Sequence, residues 1–491
     1  MGWIADFFRL AWGFLYWNTR KTAYRAHLTG GRCPCQHPSD SGRAWETACS
    51  AVGSWNNPAR FRRLCPLLQR TEGGAWRCSV DRADVRPFWG RAAVFYGSAT
   101  ALLYLLAALA AFLFLRSVGY GVTYPGVLWP PAWKKHSAVR SEFFLEKFRA
   151  ASGAGDTQSA LMALSTAYGL DPRNYAAGRQ LAGLWQVNQP GLSDQIYQRL
   201  LHDHPDQAEI TAQTWFRALL ARGDFAGVET LAAARITADP ASSPAWVNAL
   251  LFANARTGNA AVCAELARNP ALPSSARFLL ALHNDLKTAA PGEIRPRLIA
   301  AAAAAPDAAS FYHVCRQLIA RGLAQDAFTW IDRRSRLLGP RDLIPLRLDA
   351  LAAAGWRTTL RTEVEGLLMA APSPSLIELL SAHLIRHPDD DIRNAVFTRL
   401  ERDPPPDTPA SYSAYLSLFC AAGVARDKPR MHWTAAHIKA TLHEDFRSLD
   451  IIGEALLDNN RHRRVENFLP ALQPLPLEVS YALLDHYAPA P

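Results

Sequence analysis

The sequence lacks the short motifs that mark common catalytic and nucleotide-binding sites. It contains no GxxxxGK[ST], GxGxxG, GxSxG or HExxH pattern. The nearest approach, HEDFR at 443–447, has no second histidine. His432, His437 and His443 are five and six residues apart, a spacing that spreads them around a helix instead of aligning them for a metal. We therefore expect a protein that is not an enzyme.

Basic charge and cysteine are both scarce beyond residue 91. Residues 1–91 hold 14 Lys/Arg and 6 Asp/Glu, so they carry +8 of the formal net charge of +10 and leave +2 for the other 400 residues. Five of the eight cysteines also lie in this first part. No helix-turn-helix, RNA-recognition or zinc-finger pattern accompanies the basic residues, so we expect no specific nucleic-acid partner. The distribution indicates two differently built parts joined near residue 91.

Charge is absent altogether from the 24 residues Ala92–Leu115. As a helix they would be about 36 Å long, enough to cross a hydrocarbon core of about 30 Å. We therefore predict a single transmembrane helix over 92–116. The residues that follow, 117–141, are rich in Gly, Pro and aromatic side chains, a composition that predicts an extended linker beside the lipid headgroups.

Basic residues on the two flanks of the span predict its orientation. The 20 residues before it contain four arginines, whereas Lys134 and Lys135 are the basic residues from 117 to 136. Lys and Arg are retained on the cytoplasmic side. We expect residues 1–91 in the cytoplasm, the larger C-terminal part on the periplasmic or extracellular side, and the whole chain in the cell (inner) membrane.

An aromatic helical face occurs at the start of the chain. Trp3, Phe7, Leu10, Phe14 and Trp17 recur at spacings of three and four residues. This pattern predicts an amphipathic helix over 1–18 that lies on the membrane and contacts lipid. Two alternatives remain open: a helix packed on the cysteine-rich segment, and a short second membrane span.

The cysteine-rich segment, residues 19–91, is too short and too poor in aliphatic runs to bury a stable core by itself. In a reducing cytoplasm, thiolates around Zn²⁺ are a natural cross-link. We predict zinc bound by Cys33, Cys35, Cys65 and Cys78, with Cys49, His37 and His27 as alternate ligands. Disulfides and unlinked structural cysteines remain open as alternatives.

The C-terminal part is rich in Ala and Leu, and its apolar residues follow a helical period without a convincing alternating strand run. Prolines divide it at intervals of 30–36 residues, and several of them follow an acidic residue, as in GLDP, TADP and ERDP. The ladder consists of Pro172, Pro205, Pro240, Pro270, Pro306, Pro340, Pro372 and Pro404. A period near 33 predicts repeated pairs of helices that bury their apolar faces by stacking on their neighbours.

Two stretches of this region resemble the tetratricopeptide-repeat (TPR) family. In GDTQSALMALSTAYGLDP, the matching positions are Gly155, Ala160, Leu164, Ala167 and Pro172. GDFAGVETLAAARITADP matches again through Gly223, Phe225, Asp239 and Pro240. The resemblance implies a TPR-like α-solenoid over 142–404 whose concave face binds a protein or peptide. We expect residues 405–491 to form further helices that cap the solenoid.

Together these features predict a mainly α protein in which a single transmembrane helix joins a small, zinc-binding, cysteine-rich domain to a TPR-like α-solenoid. The lone cysteines Cys263, Cys315 and Cys420 lie in helical patterns, where we expect small core residues. The favoured function is a membrane-anchored adaptor. Two alternatives are a redox-sensing or metal-sensing membrane protein that uses Cys33 and Cys35, and an accessory subunit of cell-envelope polysaccharide or secretion machinery.

Overall fold

The computed structural model describes residues 2–28, 72, 87, 89–369, 371–442, 448–457, 468–472 and 475–489, and the backbone of four short strands. These residues are mainly helical, as predicted, and contain 23 α-helices. The chain divides into two compact units, Met1–Asp171 and Pro172–Pro491. Each unit is described by itself.

The described residues of the first unit form five helices and two short hairpins. The helices are α1 (Gly2–Arg25), α2 (Trp89–Ser117), α3 (Tyr124–Leu128), α4 (His136–Gly153) and α5 (Thr157–Leu170). Strand β1 (His37–Pro38) pairs antiparallel with β2 (Trp45–Glu46). Strand β3 (Leu68–Arg70) pairs antiparallel with β4 (Trp76–Cys78), with Gln69 opposite Arg77.

Helix α2 is the candidate membrane span. Within the described part of the chain it is the one helix long and apolar enough to cross a membrane, with 29 residues and a mean hydropathy of 2.2 over its most apolar window. Most of its side chains, such as Leu103 and Phe114, are exposed. A helix with so many exposed apolar side chains is expected in lipid, because water would disfavour this surface.

Helix α1 extends seven residues beyond the predicted boundary at residue 18 and packs antiparallel on the first half of α2. Thr22 accepts a hydrogen bond from Trp89 Nε1 at 3.0 Å, and the ring of Phe14 lies 5.0 Å from that of Phe95. No Pro or Gly interrupts residues 18–25, so the helix continues to Arg25. Trp3 remains 69% exposed, whereas Trp17 is buried.

The prediction of an extended linker over 117–141 is wrong. Helix α3 follows Thr123, a 3₁₀ turn covers Pro130–Lys135, and α4 begins at His136. Pro125 and Pro130 stand in the first turns of their helices, where a missing amide hydrogen costs no intrahelical hydrogen bond. Proline therefore starts these short helices instead of preventing them.

In the second unit, the residues that the structure describes form eight consecutive helix pairs followed by two single helices. The first helices of the pairs are α6 (Tyr175–Asn188), α8 (Ala208–Ala221), α10 (Ser243–Thr257), α12 (Ser274–Thr288), α14 (Ala308–Ala320), α16 (Pro340–Ala353), α18 (Pro374–Arg386) and α20 (Tyr412–Val424). The second helices are α7 (Pro190–Asp203), α9 (Phe225–Ala238), α11 (Ala260–Ala267), α13 (Pro291–Ala304), α15 (Ala324–Arg333), α17 (Arg357–Leu368), α19 (Asp390–Arg402) and α21 (Lys428–Leu442). The single helices are α22 (Ser448–Leu457) and α23 (Leu477–Tyr487).

The connections follow two rules that the sequence encodes. Seven of the eight prolines of the ladder lie between the second helix of one pair and the first helix of the next, or at the first residue of the latter, and Pro172 precedes the first helix of the first pair. Within several pairs the turn contains a glycine at positive φ, as at Gly223 (68°) between α8 and α9. Side chains disfavour this conformation, and Asp224 then caps α9 by accepting a hydrogen bond from Gly227 N.

The core of the second unit runs along the first helices. Within each pair the two helices are packed together, and from α10 to α20 each first helix packs against the next. Cys263, Cys315 and Cys420 are fully buried in this core with free thiols, which confirms the prediction for them. Most of the buried polar side chains of the described part of this unit, such as Asn254 and Asp349, lie on the first helices.

Candidate functional site

The most buried charged group in the described part of the second unit is the carboxylate of Asp349, on α16. Arg316 on α14 donates to its Oδ2 at 2.5 Å, and Arg386 on α18 donates to the same oxygen at 2.7 Å. His383 Nδ1, also on α18, lies 2.7 Å from Oδ1. Asp349 and His383 are both fully buried. One carboxylate thus connects three successive first helices.

The surroundings of Asp349 determine its charge. Burial alone would raise the pKa of Asp349, but Arg386, His383 and Arg316 hold that pKa well below its ordinary value. Burial lowers the pKa of the neighbouring His387 to about 4, although the Asp349 carboxylate opposes the change. Asp349 is therefore ionised at neutral pH and His387 is neutral. A buried charge with this many partners stabilises the helix arrangement only while the set is complete.

A second buried network joins α9, α10 and α12. Asn254 Oδ1 accepts a hydrogen bond from Lys287 Nζ at 2.6 Å and lies 2.9 Å from His283 Nε2. Asn254 Nδ2 donates to Glu229 at 3.3 Å, and Thr257 donates to the other carboxylate oxygen of Glu229 at 2.5 Å. Burial, with help from Lys287, lowers the pKa of His283 to about 4. This network, too, connects neighbouring helices.

The partners in both networks are separated in the sequence by a regular interval, which a search for short motifs does not detect. Arg316 and Asp349 are 33 residues apart, Asp349 and His383 are 34 apart, and Asn254 and Lys287 are 33 apart. These separations equal the proline period, so each pair occupies corresponding positions on successive first helices. A search for complementary polar residues one period apart would have found them.

The end of the chain lies against the first helices of the same unit. We call residues 468–472 and 475–489 the C-terminal segment, and the faces of α6, α8, α10 and α18 that it contacts the docking groove. The ring of Tyr481 lies 4.3 Å from that of Phe252 on α10. Val479, Leu483 and Leu484 of α23 are fully buried. The C-terminal segment therefore forms a further helix and also covers part of the surface of the first helices.

Arg256 anchors the far end of the C-terminal segment. Its Nη2 donates to Asp485 at 2.6 Å, and its Nε donates to the backbone oxygen of Ala488 at 3.1 Å. The guanidinium also stacks on Phe252, 3.7 Å from the ring centroid. The Arg256 side chain is only 6% exposed. It therefore pairs with a carboxylate and with the negative end of the α23 dipole at the same time.

Two cavities separate the other end of the C-terminal segment from α6 and α8. A cavity of about 380 Å³ is lined by Val187, Arg222 and Pro470, among others. A smaller one of about 50 Å³ lies between Arg217 and Leu472. Arg222 Nη1 is buried without a hydrogen-bond partner, although its Nη2 pairs with Asp194. This end of the groove is incompletely filled.

The first unit has an apolar groove of its own, between α1 and α2. It has a volume of about 710 Å³ and is lined by Phe7, Val94, Phe95 and Leu102, among others. On the far half of α2, Tyr104 donates a hydrogen bond to Leu128 of α3 at 2.5 Å. The flanking helices therefore lie along the candidate span.

The predicted zinc ligands are not tested by the structure. Cys33, Cys35, Cys49 and Cys65 lie outside the described residues, and for Cys78 and His37 the description covers the backbone alone. Among the side chains that are described, no group of three or more His, Cys, Asp or Glu is arranged to hold a metal ion. Zinc binding stays a prediction.

Comparisons with known proteins identify no family for this chain. No family model matches the chain, and no curated protein matches it. The resemblance to TPR proteins therefore rests on the residues quoted from the sequence.

Proposed function

We propose that this chain is a single-pass membrane adaptor whose TPR-like α-solenoid, residues 142–404, binds a protein or peptide partner. The observation that carries the proposal is the docking groove, because there the row of first helices holds an α-helix of the same chain. A surface that buries Val479, Leu483 and Leu484 of one helix has the shape and the apolar character to receive another. Binding then requires surface complementarity and no covalent step.

The membrane part supports the anchoring role. Helix α2 combines a length of 29 residues with exposed apolar side chains, and α1 adds the exposed aromatics Trp3, Phe8 and Trp12 beside its first half. We propose that α2 spans the cell membrane and that α1 contacts lipid. Residues 1–91 are then cytoplasmic, and the solenoid is on the periplasmic or extracellular side.

We also propose that residues 19–91 bind zinc through Cys33, Cys35, Cys65 and Cys78. The support is chemical, since four thiolates in a reducing compartment form a closed structural zinc site. The purified chain should contain about one zinc per molecule by elemental analysis. Replacing Cys33 and Cys35 by Ser should remove the metal, whereas Cys263→Ser, in the second unit, should leave it in place. A metal-free parent chain with an intact fold would end this part of the proposal.

Site-specific photo-cross-linking in intact membranes tests the adaptor function. A photoreactive amino acid at Val187, which is 53% exposed and borders the docking groove, should give a discrete adduct with another protein. The same amino acid at Thr230, exposed on α9, is the control and should give none. An absence of adducts from Val187 and from further positions on the first helices would contradict an adaptor role.

A further inference from the structure

The docking groove is electrostatically complementary to its occupant. Arg217 and Arg222 border the cavities at one end, and Arg256 lies at the other. The helix of the C-terminal segment brings the carboxylate of Asp485 to the guanidinium of Arg256. Charges of opposite sign fix the orientation of a docked helix and disfavour a basic one.

The occupant is amphipathic and contacts the groove with three kinds of group. An aliphatic face, centred on Val479 and Leu483, is fully buried. Tyr481 contacts Phe252, and four residues later Asp485 pairs with Arg256. Tyrosine and aspartate at i and i+4 lie on the same side of a helix, so one helical turn supplies both contacts.

The groove also offers contacts that the C-terminal segment does not use. The cavity of about 380 Å³ beside Pro470 is large enough for several side chains. The segment is thus a partial match for the groove.

We propose that the docking groove binds an acidic amphipathic helix of the partner protein, and that the C-terminal segment is an intramolecular competitor for the same surface. This inference rests on the proposed adaptor function and specifies its ligand. The partner helix carries aliphatic residues, an aromatic side chain and a carboxylate one turn apart. The partner helix binds only to chains in which the C-terminal segment has left the groove. The apparent affinity for the partner helix is therefore the intrinsic affinity multiplied by the fraction of such chains.

The test uses the segment itself as the probe. A fluorescent peptide of residues 468–491 is titrated, in detergent, against the parent chain and against a chain that ends at Asn467. The shortened chain should bind the peptide at least about tenfold more tightly than the parent chain does, because the intramolecular competitor is gone.

Charge reversal identifies the surface that the peptide uses. Arg256→Glu in the shortened chain should weaken binding by about tenfold or more, and a peptide carrying Asp485→Arg should recover most of the loss. Arg361→Glu is the matched control, since Arg361 pairs only with Glu365 on the exposed face of α17. It should change binding less than about twofold.

A second variant keeps the test decisive if the shortened chain does not fold. A protease recognition sequence is inserted between Asn459 and Asn460 of the full chain, and the chain is cut after folding. The labelled peptide should then replace the cut segment, with release of the unlabelled fragment. A segment that stays bound for a day against excess peptide is a permanent part of the core, and this result would overturn the proposal. So would a folded, shortened chain that does not bind the peptide.

The outcomes separate this inference from the adaptor function. If the peptide binds to the groove but no protein is cross-linked at Val187, the adaptor function is rejected. The assignment of an acidic amphipathic helix as the ligand of the groove would still hold. Conversely, removal of the C-terminal segment could leave the yield of the cross-linked adduct unchanged. The partner would then bind outside the docking groove, and this result would reject the inference.

Discussion

At the scale of single residues, the carboxylate of Asp349 has the largest expected energetic effect. It is fully buried and accepts hydrogen bonds from Arg316 and Arg386 on two neighbouring helices. Removing one member of a buried ionic set leaves the others charged, buried and incompletely paired. Asp349→Asn should therefore lower the free energy of unfolding by about 3–5 kcal/mol, measured by urea denaturation followed by circular dichroism.

The control for this prediction is an ion pair near the surface. Asp326 pairs with Arg295, whose side chain is 62% exposed. Asp326→Asn should change the free energy of unfolding by less than about 1 kcal/mol. Equal effects of the two substitutions would contradict the special role of Asp349.

The buried histidines predict how stability depends on pH. Burial lowers the pKa of His283 and of His387 to about 4, from an ordinary value of 6.5. Above pH 6.5 both histidines are neutral in the folded and the unfolded chain, so stability is greatest there. Between pH 6.5 and 4 the unfolded chain binds protons that the folded chain does not, so stability falls with pH, by up to about 1.4 kcal/mol per unit for each histidine.

Thermal unfolding at pH 7.5, 6 and 5 measures this dependence. The double variant His283→Gln, His387→Gln should show a smaller loss of Tm between pH 7.5 and 5 than the parent chain. The exposed His202 provides the control, since His202→Gln should leave the slope unchanged. Asp349 contributes little between pH 7.5 and 5, because its ordinary pKa of about 4 in the unfolded chain and its lower pKa in the folded chain both lie below this range. A parent chain with the same Tm at all three values would contradict the prediction.

At the scale of helices, Gly423 sets the distance between α20 and α22. A Cβ atom at this position would lie 2.9 Å from Cβ of Leu456 and 2.8 Å from its Cδ1, so one helix would have to move. Gly423→Ala should lower the free energy of unfolding by about 1–3 kcal/mol although alanine favours helices. Gly183, inside α6, has open space around it, so Gly183→Ala should raise the free energy of unfolding by about 0.5–1 kcal/mol. Urea denaturation measures both, and effects of the same sign would contradict this account.

The helix order could be predicted from the sequence because its signals are local. Seven prolines of the ladder lie at the start of a pair or within four residues before it, Pro404 lies eight residues before the next pair, and Gly223 marks a turn inside a pair. The linker prediction failed because Pro and Gly were interpreted as excluding helix, whereas Pro125 and Pro130 begin short helical turns. A proline in the first turn of a helix is compatible with that helix, whereas a proline further along it is not. Amino-acid composition does not show where in a helix a proline stands.

The docking groove could not be predicted in the same way. Arg256 and Asp485 are 229 residues apart, so their contact depends on the cumulative packing of all the intervening helices. The sequence nevertheless contains an indirect signal. Helix α18 is buried at every position from Leu380 to Ile385, and α20 from Ala414 to Gly423. Helices that lack a polar face must be covered on all sides, so their composition predicts a covering element without identifying it.

At the scale of the whole molecule, burial of the native thiols makes the proposed topology directly measurable. Burial raises the pKa of Cys263 to about 11 and that of Cys315 to about 12, and Cys420 is fully buried. Neutral, buried thiols react slowly with maleimides. A cysteine placed on the surface of the second unit is therefore expected to label without background from that unit.

Met369 is the best position for such a cysteine, because its side chain is 87% exposed after the end of α17. In intact cells treated with a membrane-impermeant maleimide, Met369→Cys should gain one adduct relative to the parent chain. Met162→Cys, at a position 66% exposed on α5, should gain one as well if the helices after the span are outside the cell membrane. Cys49, which is not one of the four proposed zinc ligands, should label only after the membrane is permeabilised, because the proposed topology places residues 1–91 in the cytoplasm. Labelling of Cys49 in intact cells, with none at Met369→Cys or Met162→Cys, would invert the orientation and place the docking groove in the cytoplasm.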